Sequence, residues 1–279
     1  MVEGWLQMAQ ASRPSIEVVS LNAQGLLSCG SVVVGTTRQG PCRVFRYDTT
    51  TTGRVFHISG SWASRQKGGT GKTTLALSLA VEAVRSGLNV VMVDLDPQVS
   101  ACEWGDMRRG REAAPEAPVV VDAQPARLAN VAAKAREAGV DLLVIDTAGR
   151  TEHAAMAAAR IADLVVVPLQ PSVIDLKTVK ATSDLIALAG SPERLAVLMR
   201  VKASAGARQD ETQAWLERQG MPVCPATLGD RVTFQDAYAQ RLGVTEYEPD
   251  GKAAAEVRQV YLNISSIIGL AATRKVDNG

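Results

Sequence analysis

The chain has 279 residues, 46% of them apolar and 21% charged, with a formal net charge of +1. That length suits one large α/β domain, or one domain with an extension, and the apolar fraction is enough for a sizeable core. The balanced charge gives no bulk attraction to a polyanion, so contact with nucleic acid would need a local basic patch. Four cysteines, Cys29, Cys42, Cys102 and Cys224, form no CxxC pair. They suit neither a zinc site nor a disulfide framework and are expected to be the reduced thiols of a cytosolic protein. No apolar run reaches the ~18 residues that a membrane-spanning helix needs, and the N-terminus lacks the basic-then-apolar pattern of a signal peptide.

Residues 1–55 are rich in Ser, Thr, Gly and Arg and hold neither helical nor alternating periodicity for long. They read as a poorly ordered extension, or as sequence ahead of the true start. Residues 56–272 read as the folded domain and 273–279 as a short tail. A polar first strand is expected over His57–Ser64. Apolar strand runs follow at Asn89–Leu95, Val119–Val121, Leu142–Ile145, Leu164–Leu169, Leu195–Val201 and Val223–Ala226. Helical stretches lie between them at Thr73–Ser86, Pro125–Ala138, Glu152–Ile161, Ile174–Ala189 and Gln209–Gln219. Continuous rather than alternating apolar runs mark strands covered on both faces. The β-α-β rhythm predicts a three-layer, doubly wound, mostly parallel sheet, with ligands beyond the carboxyl ends of its strands. A last helix over Lys252–Leu270 carries one apolar stripe. Its other face is too poor in Lys and Arg for a membrane-surface helix.

The chemistry concentrates in KGGTGKTT, Lys67–Thr74. Gly68, Gly69 and Gly71 let the backbone wrap an anion and aim N–H groups inward. The helix starting near Lys72 adds its N-terminal dipole. Lys72 can reach the β- and γ-phosphates of a nucleoside triphosphate, and Thr73 can place its hydroxyl on Mg²⁺. Thr70 and Thr74 complete the phosphate-binding segment. Where GxxxxGK[ST] calls for glycine the chain has Gln66, and Lys67 directly precedes the glycines. The loop backbone blocks Lys67 from its own phosphates, so its outlet is a ligand held by a facing protomer.

Asp94 and Asp96 follow the apolar run NVVMV. On an extended segment, carboxylates at i and i+2 point the same way, so the pair is expected to serve Mg²⁺ or an attacking water. Asp146 follows LLVI and occupies the place of the acidic Mg²⁺ group of phosphate-loop NTPases.

KGGTGKTT, VVMVDLDPQ, LLVIDTAGR, VVVPLQPSVIDL and the segment from Gly229 to Val260 together resemble the ParA/MinD group of deviant Walker A ATPases. The resemblance is nearest to the small ParA-like partition proteins and covers about Ile58 to Ile268. It implies a SIMIBI-like phosphate-loop NTPase fold, with ATP and Mg²⁺ as cofactors and weak intrinsic hydrolysis. Lys67 matches the signature lysine that crosses to the partner's ATP, Lys72 the loop lysine and Thr73 the Mg²⁺ ligand. Asp96 matches the residue orienting the hydrolytic water, and Asp94 and Asp146 match the other acidic positions around Mg²⁺. Arg200 follows a strand end where relatives contact the base.

The implied cycle is ATP-bound homodimerisation, binding to non-specific DNA, and release after hydrolysis stimulated by a ParB-type centromere-binding partner. The implied location is cytoplasmic and nucleoid-associated, with no membrane partner. DNA candidates are Lys202, Arg208, Arg231 and Arg258, with Arg241, Arg274 and Lys275 as further surface cations. Two alternatives use the same fold: a MinD-like membrane-cycling ATPase, and a metabolic or metallocluster enzyme. The first lacks a basic amphipathic tail. An iron–sulfur member would need a second thiolate beyond Cys102 near the motifs.

Overall fold

The alternating apolar runs become a single parallel sheet in a computed structural model, which describes residues 53–58, 71–110, 117–148, 152–171, 173–190 and 192–270. The strands are β1 (Arg54–Ile58), β2 (Val90–Asp94), β3 (Val119–Asp122), β4 (Leu142–Asp146), β5 (Leu164–Leu169) and β6 (Glu193–Leu198). The helices are α1 (Lys72–Arg85), α2 (Ser100–Arg109), α3 (Leu128–Glu137), α4 (Glu152–Ala159), α5 (Val173–Leu188), α6 (Gly206–Arg218), α7 (Thr233–Ala239), α8 (Val244–Tyr247) and α9 (Lys252–Ile267).

The six strands lie in the order β3-β2-β4-β1-β5-β6, and every pairing is parallel. β2, β4 and β5 are buried at every residue, as expected of strands covered by helices on both faces. The chain travels from β1 towards one edge through β2 and β3, returns through β4, and crosses to the other edge through β5 and β6. That reversal opens a crevice beyond the carboxyl ends of the central strands. The register puts Asp94 level with Asp146, and Asp146 level with Ile58, along that end.

Several expectations need correcting. β1 occupies Arg54–Ile58 rather than His57–Ser64, so a domain boundary between residues 55 and 56 cuts a strand. The rest of the expected strand lies outside the described residues. Strand pairing, not apolarity, sets this position: Arg54 to Ile58 pair in register with Leu142 to Asp146. The run at Val223–Ala226 makes only an isolated bridge, from Val223 to Ala196. The strand expected over Leu195–Val201 ends at Leu198, because Arg200 turns to φ 53°. A 3₁₀ turn at Pro125–Arg127 precedes α3 where one helix was expected.

Three helices were not anticipated. α7 and α8, with 7 and 4 residues, are too short to show a helical period. α2 is predominantly polar, with only Ala101, Trp104, Gly105 and Arg108 buried. It lies close against β3, since a Cβ on Gly105 would come within 2.9 Å of Val120 Cβ.

The largest core cluster joins α1 to α9 and one face of the sheet, through Leu75, Leu79, Val144, Val166, Val257 and Ile264 among others. One charged group is embedded near it. Arg108 is 1% exposed and makes a bidentate pair with Glu246, at 2.6 and 2.9 Å. It also donates to the carbonyls of Ala117 and Arg241 and lies 5.0 Å from the Trp104 ring centroid. Glu246 in turn accepts from the Gly243 amide, closing the first turn of α8. One ion pair therefore locks α2 to the segment that follows α7.

Candidate functional site

α1 begins at Lys72, immediately after Gly71 at φ 83°. An L side chain rarely adopts that conformation, and a Cβ there would come within 2.9 Å of Met199 Cε, so glycine is required. Among the described residues no side chain caps this N-terminus, and its first turn holds no carboxylate. The dipole of α1 therefore favours an anion at this end.

The helix start opens onto a cavity of about 340 Å³, a volume within the range of small-ligand sites. Gly71, Lys72, Thr73, Thr74 and Asp96 form one side. The rest of the lining comes from Met199, which lies beside Gly71, and from Arg200, residues 228–231, Phe234 and Gln235. Lys67, Gly68, Gly69 and Thr70, which were expected to hold the nucleotide, lie outside the described residues.

The Thr73 hydroxyl donates to Asp146 Oδ2 at 2.6 Å. Asp146 is 1% exposed, and its other oxygen, Oδ1, has no hydrogen-bond partner among the described residues. Burial raises its carboxyl to about 7; Asp94 and Asp96 add to the rise, while the Thr73 hydrogen bond and Lys72 oppose it. A buried carboxyl with an unsatisfied oxygen, beside a hydroxyl that keeps its lone pairs, fits a hard divalent cation. Mg²⁺ typically takes one or two protein groups and completes its shell with phosphate oxygens and water.

Asp94 behaves differently from the expectation. Its Oδ1 accepts from the Asp96 amide at 2.9 Å, and its Oδ2 from the Ala101 and Cys102 amides at 3.0 and 3.3 Å. It therefore shapes the turn after β2 and satisfies the first amides of α2. Asp96 lies in a turn, accepts from the Gln98 amide at 2.9 Å, and lines the cavity. The same turn forces Val99 to φ 45°, a costly conformation for a β-branched residue.

Arg200 lines the cavity and pairs with Asp230 at 3.2 Å. Of the DNA candidates, Arg231 is in the cavity wall bound to Glu256, and Arg258 faces Glu82 at 3.8 Å. Arg241 is packed on Tyr238 and Met107. Lys202 and Arg208 are exposed around the start of α6. Arg274 and Lys275 lie outside the described residues. The Cys102 thiol is pushed up to about 12, by burial first and then by Asp94, so it is protonated near neutral pH.

The second wall of the cavity was largely missed from sequence. Met199, Leu228, Asp230, Phe234 and Gln235 carry no motif of their own, and only the GDRVTFQDAY string hinted at them. His57 was also missed. It is fully buried, and its Nε2 lies 3.1 Å from Thr147 Oγ1. The Thr147 hydroxyl donates to the Ile58 carbonyl at 3.2 Å, so Nε2 carries the proton. Burial lowers this imidazole to about 3, keeping it neutral, and the pair ties the end of β1 to the residue after Asp146.

A parallel sheet, a helix N-terminus facing a cavity, and a Thr–Asp pair beside it define a phosphate-loop nucleotide-binding protein. The chain belongs to the CobQ/CobB/MinD/ParA nucleotide binding domain family, whose profile matches residues 63–273. Proteins of this ParA/MinD type bind ATP or ADP with Mg²⁺.

The chain is 26% identical over 199 residues to maintenance of carboxysome distribution protein A of Halothiobacillus neapolitanus, matching 70% of this chain and 90% of that protein. It is 31% identical over 170 residues to the chromosome-partitioning ATPase Soj of Thermus thermophilus, matching 52% of this chain and 63% of that protein. Among solved structures, the MinD of Pyrococcus horikoshii complexed with Mg-ADP superposes with a TM-score of 0.61 at 18% identity. That match covers 80% of this chain and 99% of the other, and at this identity it speaks for the fold alone.

Asp146 gives the ligand-free protein a pH signature. Its folded carboxyl titrates near 7, well above the ordinary 3.8. Between those values the folded state keeps a proton that the unfolded chain releases, so stability falls as pH rises through the window. Asp146→Asn removes that term. The melting temperature of the variant relative to wild type is expected to climb from pH 5 to pH 8 without nucleotide or Mg²⁺. A pH-independent difference in thermal melts would contradict the burial of this carboxyl.

Proposed function

We propose that this chain is an ATP-dependent dimerising partition ATPase that binds non-specific DNA and is stimulated by a ParB-type partner. The observation that carries the reading is the meeting of Gly71, Lys72, Thr73 and Asp96 on one cavity, with Asp146 bonded to Thr73 behind it. In this reading the α1 amides and Lys72 hold the phosphates. Thr73 and Asp146 hold Mg²⁺, which neutralises phosphate charge when bound, and Asp94 supports them by fixing the turn that presents Asp96. Asp96 orients the attacking water. Phosphoryl transfer asks mainly for positioning and charge stabilisation, and these residues supply both. Lys202 and Arg208, both exposed, are the DNA contacts this reading favours. Such contacts go to phosphates and weaken steeply with salt.

The 90% coverage of the carboxysome distribution protein favours a second reading, in which the same cycle moves a protein compartment rather than DNA. One experiment separates these: ATP turnover alone, with non-specific DNA, and then with the product of a neighbouring gene. Stimulation by DNA and a centromere-binding partner together supports partition. Stimulation only by a compartment protein supports the second reading, and stimulation by lipid vesicles points to a MinD-like cycle. Absence of any ATP turnover would overturn all three.

Lys67 tests the dimer. Lys67→Ala is expected to bind ATP while losing the ATP-dependent dimer, measured by size exclusion with light scattering. A dimer that survives the change would remove the cross-protomer role.

A further inference from the structure

We propose that Glu256, on α9 and outside the cavity, is a positioning residue that sets the wall against which the nucleobase is read. This rests on the reading of the cavity as a nucleotide site. The phosphate end of the cavity is the start of α1, so the base must lie towards the lining supplied by other elements, Arg200, residues 228–231, Phe234 and Gln235.

The backbone of that wall is stitched to the end of β6. Leu228 donates to the Leu198 carbonyl at 2.9 Å, Val201 to Leu228 at 3.0 Å, and Asp230 to Val201 at 3.1 Å. What this ladder leaves unsecured, Glu256 holds. Its Oε2 accepts from the Gly229 amide at 3.0 Å and from Arg231 Nε at 3.0 Å. Its Oε1 accepts from Arg231 Nη2 at 2.5 Å.

Both groups that Glu256 grips belong to residues lining the cavity. A carboxylate bonded in parallel to a guanidinium fixes its plane as well as its position. A Cβ on Gly229 would come within 3.0 Å of Arg231 Nε, so glycine is what lets the guanidinium lie against the backbone. Glu256 thus determines where the plane of Arg231 and the peptide before Gly229 stand, on either side of Asp230, which pairs with Arg200. Arg231 is accordingly a wall residue rather than a DNA contact. An ion pair of this partial exposure that did nothing else would add little to stability, so its effect should appear in ligand selectivity.

The test compares calorimetric titrations of MgATP and of Mg²⁺-tripolyphosphate, which has the phosphates without the base, in wild type and Glu256→Gln. Glu256→Gln keeps shape and one acceptor but loses the charge-assisted clamp. MgATP is expected to bind about tenfold more weakly, with tripolyphosphate changed by less than about twofold. Equal weakening of both ligands, or no weakening of ATP, would overturn the positioning role. Wild type that binds neither ligand would instead overturn the nucleotide reading of the cavity. Glu256→Ala, if it folds, should show the same split more strongly.

Discussion

Replacing Lys72 by alanine is expected to weaken ATP binding by about 100-fold or more, the largest functional effect of any single change in the described site. Lys72 is the first residue of α1 and lines the cavity. An ammonium there makes charge-assisted contacts to phosphate, each of the order of 1.5–3 kcal/mol, and two such contacts account for a loss of this size. The helix dipole and backbone amides remain in the variant, so residual weak phosphate binding is expected. Lys72 also holds the Asp146 carboxyl down against burial. Its loss therefore leaves Asp146 protonated to higher pH and less able to face Mg²⁺. Calorimetry with MgATP checks this directly; micromolar or tighter affinity in the variant would remove Lys72 from the phosphate site.

The largest expected stability effect lies away from the cavity. Glu246→Ala is expected to cost about 3–5 kcal/mol of folding stability. The Arg108 and Glu246 side chains are 1% and 10% exposed, so removing the carboxylate takes a bidentate counter-charge from a buried guanidinium. The carbonyls of Ala117 and Arg241, which also accept from it, carry no charge to replace the carboxylate. The Gly243 amide also loses its partner at the start of α8. Denaturant unfolding would measure the loss. An internal comparison is Asp106→Ala, which removes the solvent-exposed partner of Arg109 and is expected to cost under about 1 kcal/mol. Equal costs for the two variants would mean that the Arg108–Glu246 pair is not desolvated as described.

The second effect bears on function through the fold. α2 carries Arg108 and begins beside the turn that presents Asp96. α7 carries Phe234 and Gln235 into the cavity wall. The Tyr238 hydroxyl donates to the Ser100 carbonyl at 3.3 Å, linking α7 to the start of α2. Loosening Arg108 from Glu246 would therefore free both sides of the site together.

Central strands and the start of α1 were the legible parts. β5 lies where its apolar run predicted, and β2 and β4 differ from prediction only at their ends. Burial on both faces writes itself into sequence as an unbroken apolar run. The start of α1 was legible because the left-handed turn demands Gly71 and the glycine-rich motif places a helix directly after it. β1 was misplaced because Arg54 and His57 break its apolar run, Val55, Phe56 and Ile58, and pairing with β4 rather than a continuous run sets its position. α2, α7 and α8 were missed because short or mostly polar helices owe their existence to what they pack on.

Sequence alone thus determined the doubly wound parallel architecture, the glycine turn and helix start at Gly71, Lys72 and Thr73, and the acidic candidates Asp94, Asp96 and Asp146. Those features depend on local periodicity or on residue types at short spacing. Tertiary structure alone decided how the three carboxyls divide their work: Asp146 buried on Thr73, Asp94 bound to backbone amides, Asp96 open to the cavity. It also decided the far wall, where Glu256 grips Gly229 and Arg231 across 27 and 25 positions of chain, and the Arg108–Glu246 pair across 138. Side-chain partners so distant in the chain leave no spacing to read, since only the path of the backbone between them brings the charges together.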